Sequence, residues 1–350
     1  MGLNMSKLLF AAILVAVFTV GALLSYLWVV GYYVSLELNI PDKPVVYVYD
    51  FTVSAKDPSF FNISILNPSF SPKETKILGI QVLTEDNRIH HITSTNPNIL
   101  EEGYTLNPGE SKTFKCSWDW VNYTGQTVNI IVLVEDGSGG SFQVTLPLTK
   151  IIVADITFDP ELGDSFNITV TNSDLSATNV TLTEVNVIVD NSIHKVTAQP
   201  ALPINLEPNG SINLACTWRW VDYQGESIKL VINTEEGYFA EKKYIVPTYA
   251  VFTIQKADFN LTDLSHFKLI VANSENSLIA LKITDISITL ENGTVIKPEK
   301  ITPNLPYVLN KNSTISFMCE WNWLAYRGEK IAITINTEQG YKTKITQRIP

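Results

Sequence analysis

Cys116-Ser117-Trp118-Asp119-Trp120-Val121-Asn122-Tyr123-Thr124-Gly125 is the stretch that decides the fold, because the chain writes it three times. It returns as Cys216-Thr217-Trp218-Arg219-Trp220-Val221-Asp222-Tyr223-Gln224-Gly225 and as Cys319-Glu320-Trp321-Asn322-Trp323-Leu324-Ala325-Tyr326-Arg327-Gly328, at periods of 100 and 103 residues. Self-similarity at such a period marks tandem copies of one structural unit. Ten positions before each Cys stands a Leu opening a turn-like run (Leu106, Leu206, Leu309), and 21 positions after it a Gly in a polar turn (Gly137, Gly237, Gly340). Proline closes each copy at Pro147, Pro247 and Pro350. The expected units are therefore 44–147, 148–247 and 248–350, so that the chain stops where a unit stops.

Alternation says what each unit is made of. Phe114, Cys116, Trp118 and Trp120 share one face of the motif strand while Lys115, Ser117 and Asp119 take the other, the period of two expected of a half-buried strand. An earlier strand repeats the pattern with Phe61/Ile63/Ile65, Phe166/Ile168/Val170 and Phe267/Leu269/Val271. A later one does so with Val128/Ile130/Val132, Ile228/Leu230/Ile232 and Ile331/Ile333/Ile335. Between them Asp86-Asn87, Asp190-Asn191 and Asn292-Gly293 supply hairpin-turn chemistry. About seven strands per unit and no amphipathic helix predict an all-β protein of three tandem immunoglobulin-like β-sandwiches. Short links such as Leu146-Pro147-Leu148-Thr149, poor in Gly and Ser, predict a fairly stiff rod.

The chain resembles archaeal and bacterial cell-surface proteins built from tandem immunoglobulin-like domains of the adhesion or S-layer-associated type. The resemblance rests on the strand at residues 61–67 and its copy at 166–172, the turn at 106–111 and the aromatic strand that follows. It covers residues 44–350 and implies envelope architecture, adhesion or the spacing of other modules, with no catalytic site to transfer. The chain departs from antibody-type domains in having no second Cys within a unit, so their inter-sheet disulfide is missing.

Ahead of the units, residues 8–34 hold no Asp, Glu, Lys, Arg or His. As a helix this segment reaches about 40 Å against a bilayer core of about 30 Å. Tyr26, Trp28, Tyr32 and Tyr33 gather at its C-terminal end, where amphipathic rings prefer the headgroup boundary. Lys7 precedes it, whereas Glu37 and Asp42 come before the next base, Lys43. This bias places residues 1–7 in the cytoplasm, 35–43 as a linker and the units outside the cell, with the lipid bilayer as partner for residues 8–34. The run exceeds the roughly 7 to 15 residues of a signal-peptide core and no small-x-small cleavage site follows, so an uncleaved anchor is preferred to a cleaved signal. The formal charge is −10, and setting Lys7 aside leaves the rest more acidic still, which makes nucleic acid a poor partner.

Each candidate for chemistry has a plainer reading beside it. Cys116, Cys216 and Cys319 share the inward face with two Trp each and are expected to be buried and inert rather than in intermolecular bonds. Trp118, Trp120, Trp218, Trp220, Trp321 and Trp323 would stack on sugars if exposed; their apolar company favours core, with one Trp of each pair left able to reach the sheet edge. His90, His91, His194 and His266 occupy no repeated position and suggest neither metal nor triad. Residues 137–141, Gly-Ser-Gly-Gly-Ser, read as a flexible hairpin, since a nucleophile elbow needs a following helix. Asp155, Asp159, Glu161 and Asp164 match no Ca²⁺ loop. Glycosylation sequons begin at Asn62, Asn122, Asn167, Asn179, Asn209, Asn260, Asn292 and Asn312. No catalytic residue, metal or cofactor is called for. The sequence points to a non-enzymatic, membrane-anchored surface protein with a structural, adhesive or display role toward an unidentified surface protein or glycan. A glycan- or ligand-binding module and a pilin-like filament subunit are the alternatives.

Overall fold

The computed structural model describes residues 5–35 and 43–350. Residues 1–4 of the expected cytoplasmic segment and 36–42 of the expected linker lie outside the described residues. One α-helix runs from Met5 to Ser35, and within it Leu9–Val29 is long and apolar enough to cross a membrane, with none of that span buried by protein. After Lys43 the described chain is strand, turn and loop apart from a short 3₁₀ turn in each unit.

The all-β expectation holds, and the strand pairing explains it. In the first unit Tyr47–Ser54 pairs with Asp57–Leu66, which pairs with Ser111–Ser117, which pairs with the short Thr95–Asn96. The facing sheet runs Ile89–His91, Thr75–Leu83, Thr127–Val134, Ser141–Thr145, with Tyr104–Leu106 also on Thr75–Leu83. The other two units repeat this order, and all these pairs are antiparallel. Each unit is thus a two-layer sandwich whose inward residues meet in one core. Those inward faces carry the same chemistry in each copy: Phe61 pairs with Cys116, Phe166 with Cys216 and Phe267 with Cys319, all buried.

The copies differ at one edge. In the middle unit the strand Ser192–Gln199 pairs with Val180–Val189 along its first part and with Ser211–Thr217 at its end, so one strand belongs to both sheets. The first unit splits the same path into Ile89–His91 and Thr95–Asn96, and the third into Val295–Ile296 and Lys300–Thr302. Turn length accompanies the difference. Asp190 and Asn191 both have positive φ (46° and 64°), the two-residue hairpin that matches strand twist, whereas the other units use longer turns ending on Asn87 and Gly293.

A buried Asn ties each sandwich together. Asn67, Asn172 and Asn273, at most 1% exposed, each donate two side-chain hydrogen bonds to backbone carbonyls: Lys73 and Leu106, Thr178 and Leu206, Ile279 and Leu309. One amide satisfies carbonyls on two separate segments, where no ladder reaches both.

Candidate functional site

The repeated motif does not form one continuous strand. The strand ends at Ser117, Thr217 or Glu320, and the Trp-x-Trp segment then crosses between sheets through the 3₁₀ turns Val121–Tyr123, Trp220–Tyr223 and Leu324–Tyr326. The sequence alternation runs past the strand end because both Trp still face inward. The second indole of each pair (Trp120, Trp220, Trp323) is 0% exposed. Its N–H donates to backbone carbonyls of Phe60 (3.2 Å), of Leu162 and Ser165 (both 2.9 Å), and of His266 (3.0 Å), respectively. Trp218 and Trp321 are also buried and Trp118 is half-buried. They stack on Tyr223, Tyr326 and Tyr123 at centroid separations of 4.9, 5.3 and 5.3 Å. Burial pushes the thiols of Cys116, Cys216 and Cys319 up to about 12, and none is in a disulfide.

Two of the histidines do occupy a repeated position. His90 lies opposite Val82 and His194 opposite Val187, each against the stacked Trp and Tyr of its unit. The third unit has Ile296 there, opposite Ile288. The two stand 104 residues apart where the motif repeats at 100, because the segments between His and Cys differ in length, and this hides the match in the sequence. His266 instead lies 3.1 Å from Asp263 at the turn after Phe252–Phe259.

Where unit meets unit, the crossovers acquire a second task. Val121 packs into the core of the middle unit, as do Leu281 and Tyr341 of the third, so the apolar interior continues across both joints. The tight turn of the last hairpin reaches back at each joint: Tyr238 Oη donates to the Ala55 carbonyl at 2.9 Å, and Tyr341 Oη to the Pro160 carbonyl at 3.3 Å. Both follow a Gly of positive φ (Gly237, 91°; Gly340, 90°), a backbone that only a residue without Cβ adopts freely. Desolvation raises the pKa of both phenols, so each hydroxyl stays protonated and can donate. The links are fixed from both sides. Thr124 Oγ1 and Gln224 Oε1 accept from the backbone N–H of Thr149 and of Tyr249, and Ser176 and Ser277 hydroxyls accept from Lys150 and Val251 N–H.

The two joints are unequal. At the second, Gly163 N–H donates to the Gln339 carbonyl at 3.0 Å, Gln339 Nε2 to Glu161 at 3.0 Å, and Arg219 to the Gly340 carbonyl. Asp222 there pairs with both Arg219 (3.0 Å) and Lys342 (3.1 Å). The approach is so close that a Cβ on Gly163 would stand 2.4 Å from the Gln339 oxygen. The first joint has fewer polar ties and leaves a cleft of about 710 Å³ lined by Asp57, Asp119, Asn179, Asn205 and Glu235. Glu161, weighed as a cation ligand, is thus engaged at the second joint, and Asp159 accepts the Glu161 N–H. Among the described residues no group of three or more His, Cys, Asp or Glu is arranged to hold a metal.

The first unit has no Tyr at the clasp position; Ser138 stands there, and residues 137–141 are not a free hairpin. Ser138 N–H donates to the Pro44 carbonyl and its carbonyl accepts from Val46 N–H. A Cβ on Gly139 would lie 1.8 Å from the Val132 carbonyl oxygen, and one on Gly137 1.9 Å from that of Pro44. The glycines let two backbones close around the segment that enters from the helix side. Asp136 beside them pairs with Lys73 (2.5 Å) and Lys43 (3.7 Å), and the Lys73 hydrogen bond holds its carboxyl below the usual range.

Of the sequon asparagines, Asn122, Asn167, Asn209, Asn260, Asn292 and Asn312 are exposed, and Asn62 and Asn179 are partly so.

No family model matches the chain, and no curated protein matches it. Solved structures similar to it are β-sandwich proteins. The FN1–FN3 domains of chicken CNTN1 are 7% identical over 88% of this chain and 99% of that one, with a TM-score of 0.24. The N-terminal eight Ig domains of Down Syndrome Cell Adhesion Molecule are 12% identical over 86% of this chain, which spans 41% of that one, at a TM-score of 0.30. The Pseudomonas aeruginosa CupB2 chaperone is 14% identical over 53% of this chain and 93% of that one, at 0.19. At these TM-scores the likeness adds no weight, and the immunoglobulin-like fold rests on the strand pairing above.

Proposed function

We propose that the chain is a single-pass surface protein whose helix holds a stiff rod of three sandwiches, units 44–147, 148–247 and 248–350, away from the membrane. Its role in this reading is structural or adhesive: a spacer that displays its outer end to a surface partner in a cell envelope of the adhesion or S-layer-associated kind. Residues 1–7 face the cytoplasm, since Lys7 lies before the span and acidic residues follow it. No reaction is assigned to it, because the interior positions of the repeated motif are filled by packing groups.

One observation carries the reading. An apolar span, Leu9–Val29, is long enough to cross a membrane and has none of its length buried, while the units that follow are joined by continuous core and by backward-reaching tyrosines. A helix hydrophobic all round and left uncovered is soluble in lipid and not in water. Joints built this way resist the relative motion that polar inter-domain contacts allow.

Protease added to intact cells tests it. The expected outcome is loss of the polypeptide beyond Lys43 with a short membrane-retained fragment left behind. A chain that survives whole on intact cells, or that leaves the membrane pellet in high salt, would refute the placement.

A further inference from the structure

The unequal joints carry an inference about modification. At the second joint the motif position after Val221 is Asp222, occupied with Arg219 and Lys342. At the first joint the same position is Asn122, opening Asn122-Tyr123-Thr124. The facing rim behaves alike. Val180 and Leu281 are equivalent, pairing with Leu206 and Leu309, so Asn179 of the middle unit corresponds to Ala280 of the third. Asn179 opens Asn179-Val180-Thr181. Two sequons therefore flank the joint with few polar ties, at positions where the better-tied joint has none. They lie on either side of Val121: Asn179 lines the 710 Å³ cleft with Asp119 and Glu235, and Asn122 lines a second hollow of about 300 Å³ with Lys150 and Tyr238.

We propose that Asn122 and Asn179 carry N-linked saccharides that brace the first joint, filling its polar cleft where direct hydrogen bonds between the units hold the second. The inference rests on the exterior placement of the rod, and deepens it. In the transfer, Nδ2 attacks the anomeric carbon of a phosphate-linked glycosyl donor supplied by a host transferase. The sugar–oxygen bond to phosphate breaks, the phosphate leaves with the electron pair, and Nδ2 gives up one of its two protons. The proton that remains on Asn179 still reaches Asn205 Oδ1, which Nδ2 approaches to 3.3 Å. Saccharide hydroxyls entering the cleft meet Asp119, Glu235 and Asn205, acceptors suited to them.

Glycopeptide mass mapping of the full chain from its own cells is the first test. Saccharide is expected at both sites, with Asn122→Gln and Asn179→Gln each removing one increment. The second test places spin labels at Glu102→Cys and Glu207→Cys across the first joint, and at Glu207→Cys and Glu299→Cys across the second; the native thiols are fully buried and do not compete. Loss of both saccharides is expected to broaden the first distance distribution and leave the second unchanged. Saccharide on the exposed Asn260 and Asn292 with none on Asn122 and Asn179 overturns this inference, as do bare sequons throughout; protease on intact cells reports separately whether the exterior placement stands. Occupied sites whose removal leaves the first distribution unchanged overturn the bracing.

Discussion

Replacing Gly163 with Leu should unlock the second joint while leaving both flanking sandwiches folded. Gly163 sits in the turn between Ile151–Phe158 and Ser165–Asn172, and the third unit has Leu264 at the matching place in its own turn, so a sandwich of this pattern folds with a side chain there. The joint does not. A Cβ would stand 2.4 Å from the backbone oxygen of Gln339 across the joint, and as close to the Val221 side chain of its own unit, against 3.4 Å or more for ordinary contact, so the turn has to retreat from Gln339 by about 1 Å. That retreat takes the 3.0 Å Gly163–Gln339 bond and the 3.3 Å Tyr341–Pro160 bond out of hydrogen-bonding range. Two neutral bonds contribute about 1 to 3 kcal/mol. The edge-to-face packing of Tyr341 on Trp220, at 6.2 Å, contributes about 1 kcal/mol more. Exposed pairs such as Lys342–Asp222 contribute little. A loss of about 2 to 4 kcal/mol shifts the ratio of closed to open joint roughly 30- to 900-fold. Distances between spin labels on the second and third units of the full chain should then spread, and protease should cut near residues 246–251. An unchanged distribution in a folded Gly163→Leu protein would show that the close approach does not hold the joint.

Three further outcomes follow from other sites. Asn172→Leu removes both amide hydrogen bonds to Thr178 and Leu206 and leaves two buried carbonyls bare, a cost of about 2 to 5 kcal/mol; hydrogen exchange should quicken in the middle sandwich and not in its neighbours. Gly139→Ala places a Cβ 1.8 Å from the Val132 oxygen, so the clamp around Pro44–Val46 should open and protease should cut there, and an uncut chain would argue against the clamp. The three thiols, held at about 12 against an ordinary value of 9.0 because burial disfavours the thiolate, keep protons in the folded state that the unfolded state releases. Their contribution to stability is therefore complete below pH 9 and is lost as the pH climbs toward 12. At pH 8 iodoacetamide should leave the native chain unlabelled and modify all three thiols in denaturant; fast labelling of the native protein would contradict their burial.

The sandwiches were legible because strand burial has period two, and runs such as Phe61/Ile63/Ile65 declare it locally. The crossover was not, because Trp118 and Trp120 keep the alternation beyond the end of their strand while the backbone turns away. The equivalence of His90 and His194 was masked by the segment that follows each, since the Cys comes 26 residues after His90 and 22 after His194. The joints escaped the sequence for a different reason: Tyr238 and Tyr341 find their acceptors 183 and 181 residues away, and nothing local distinguishes a clasping Tyr from an ordinary turn residue. The glycines at 137, 139 and 140 suggested freedom, when the missing side chains serve close approach instead.

Three units copied from one ancestor no longer form a set of interchangeable parts. Transplanting the third into the second place would drive Leu264 against the incoming hairpin, and moving the first into the second would present Ser138 where a phenol has to reach back. The rod thus has a reading direction built into its turns. Lengthening it by recombination demands the middle copy, with its Gly163 on one end and its Tyr238 on the other, since of the three it is the one fitted to be both host and guest.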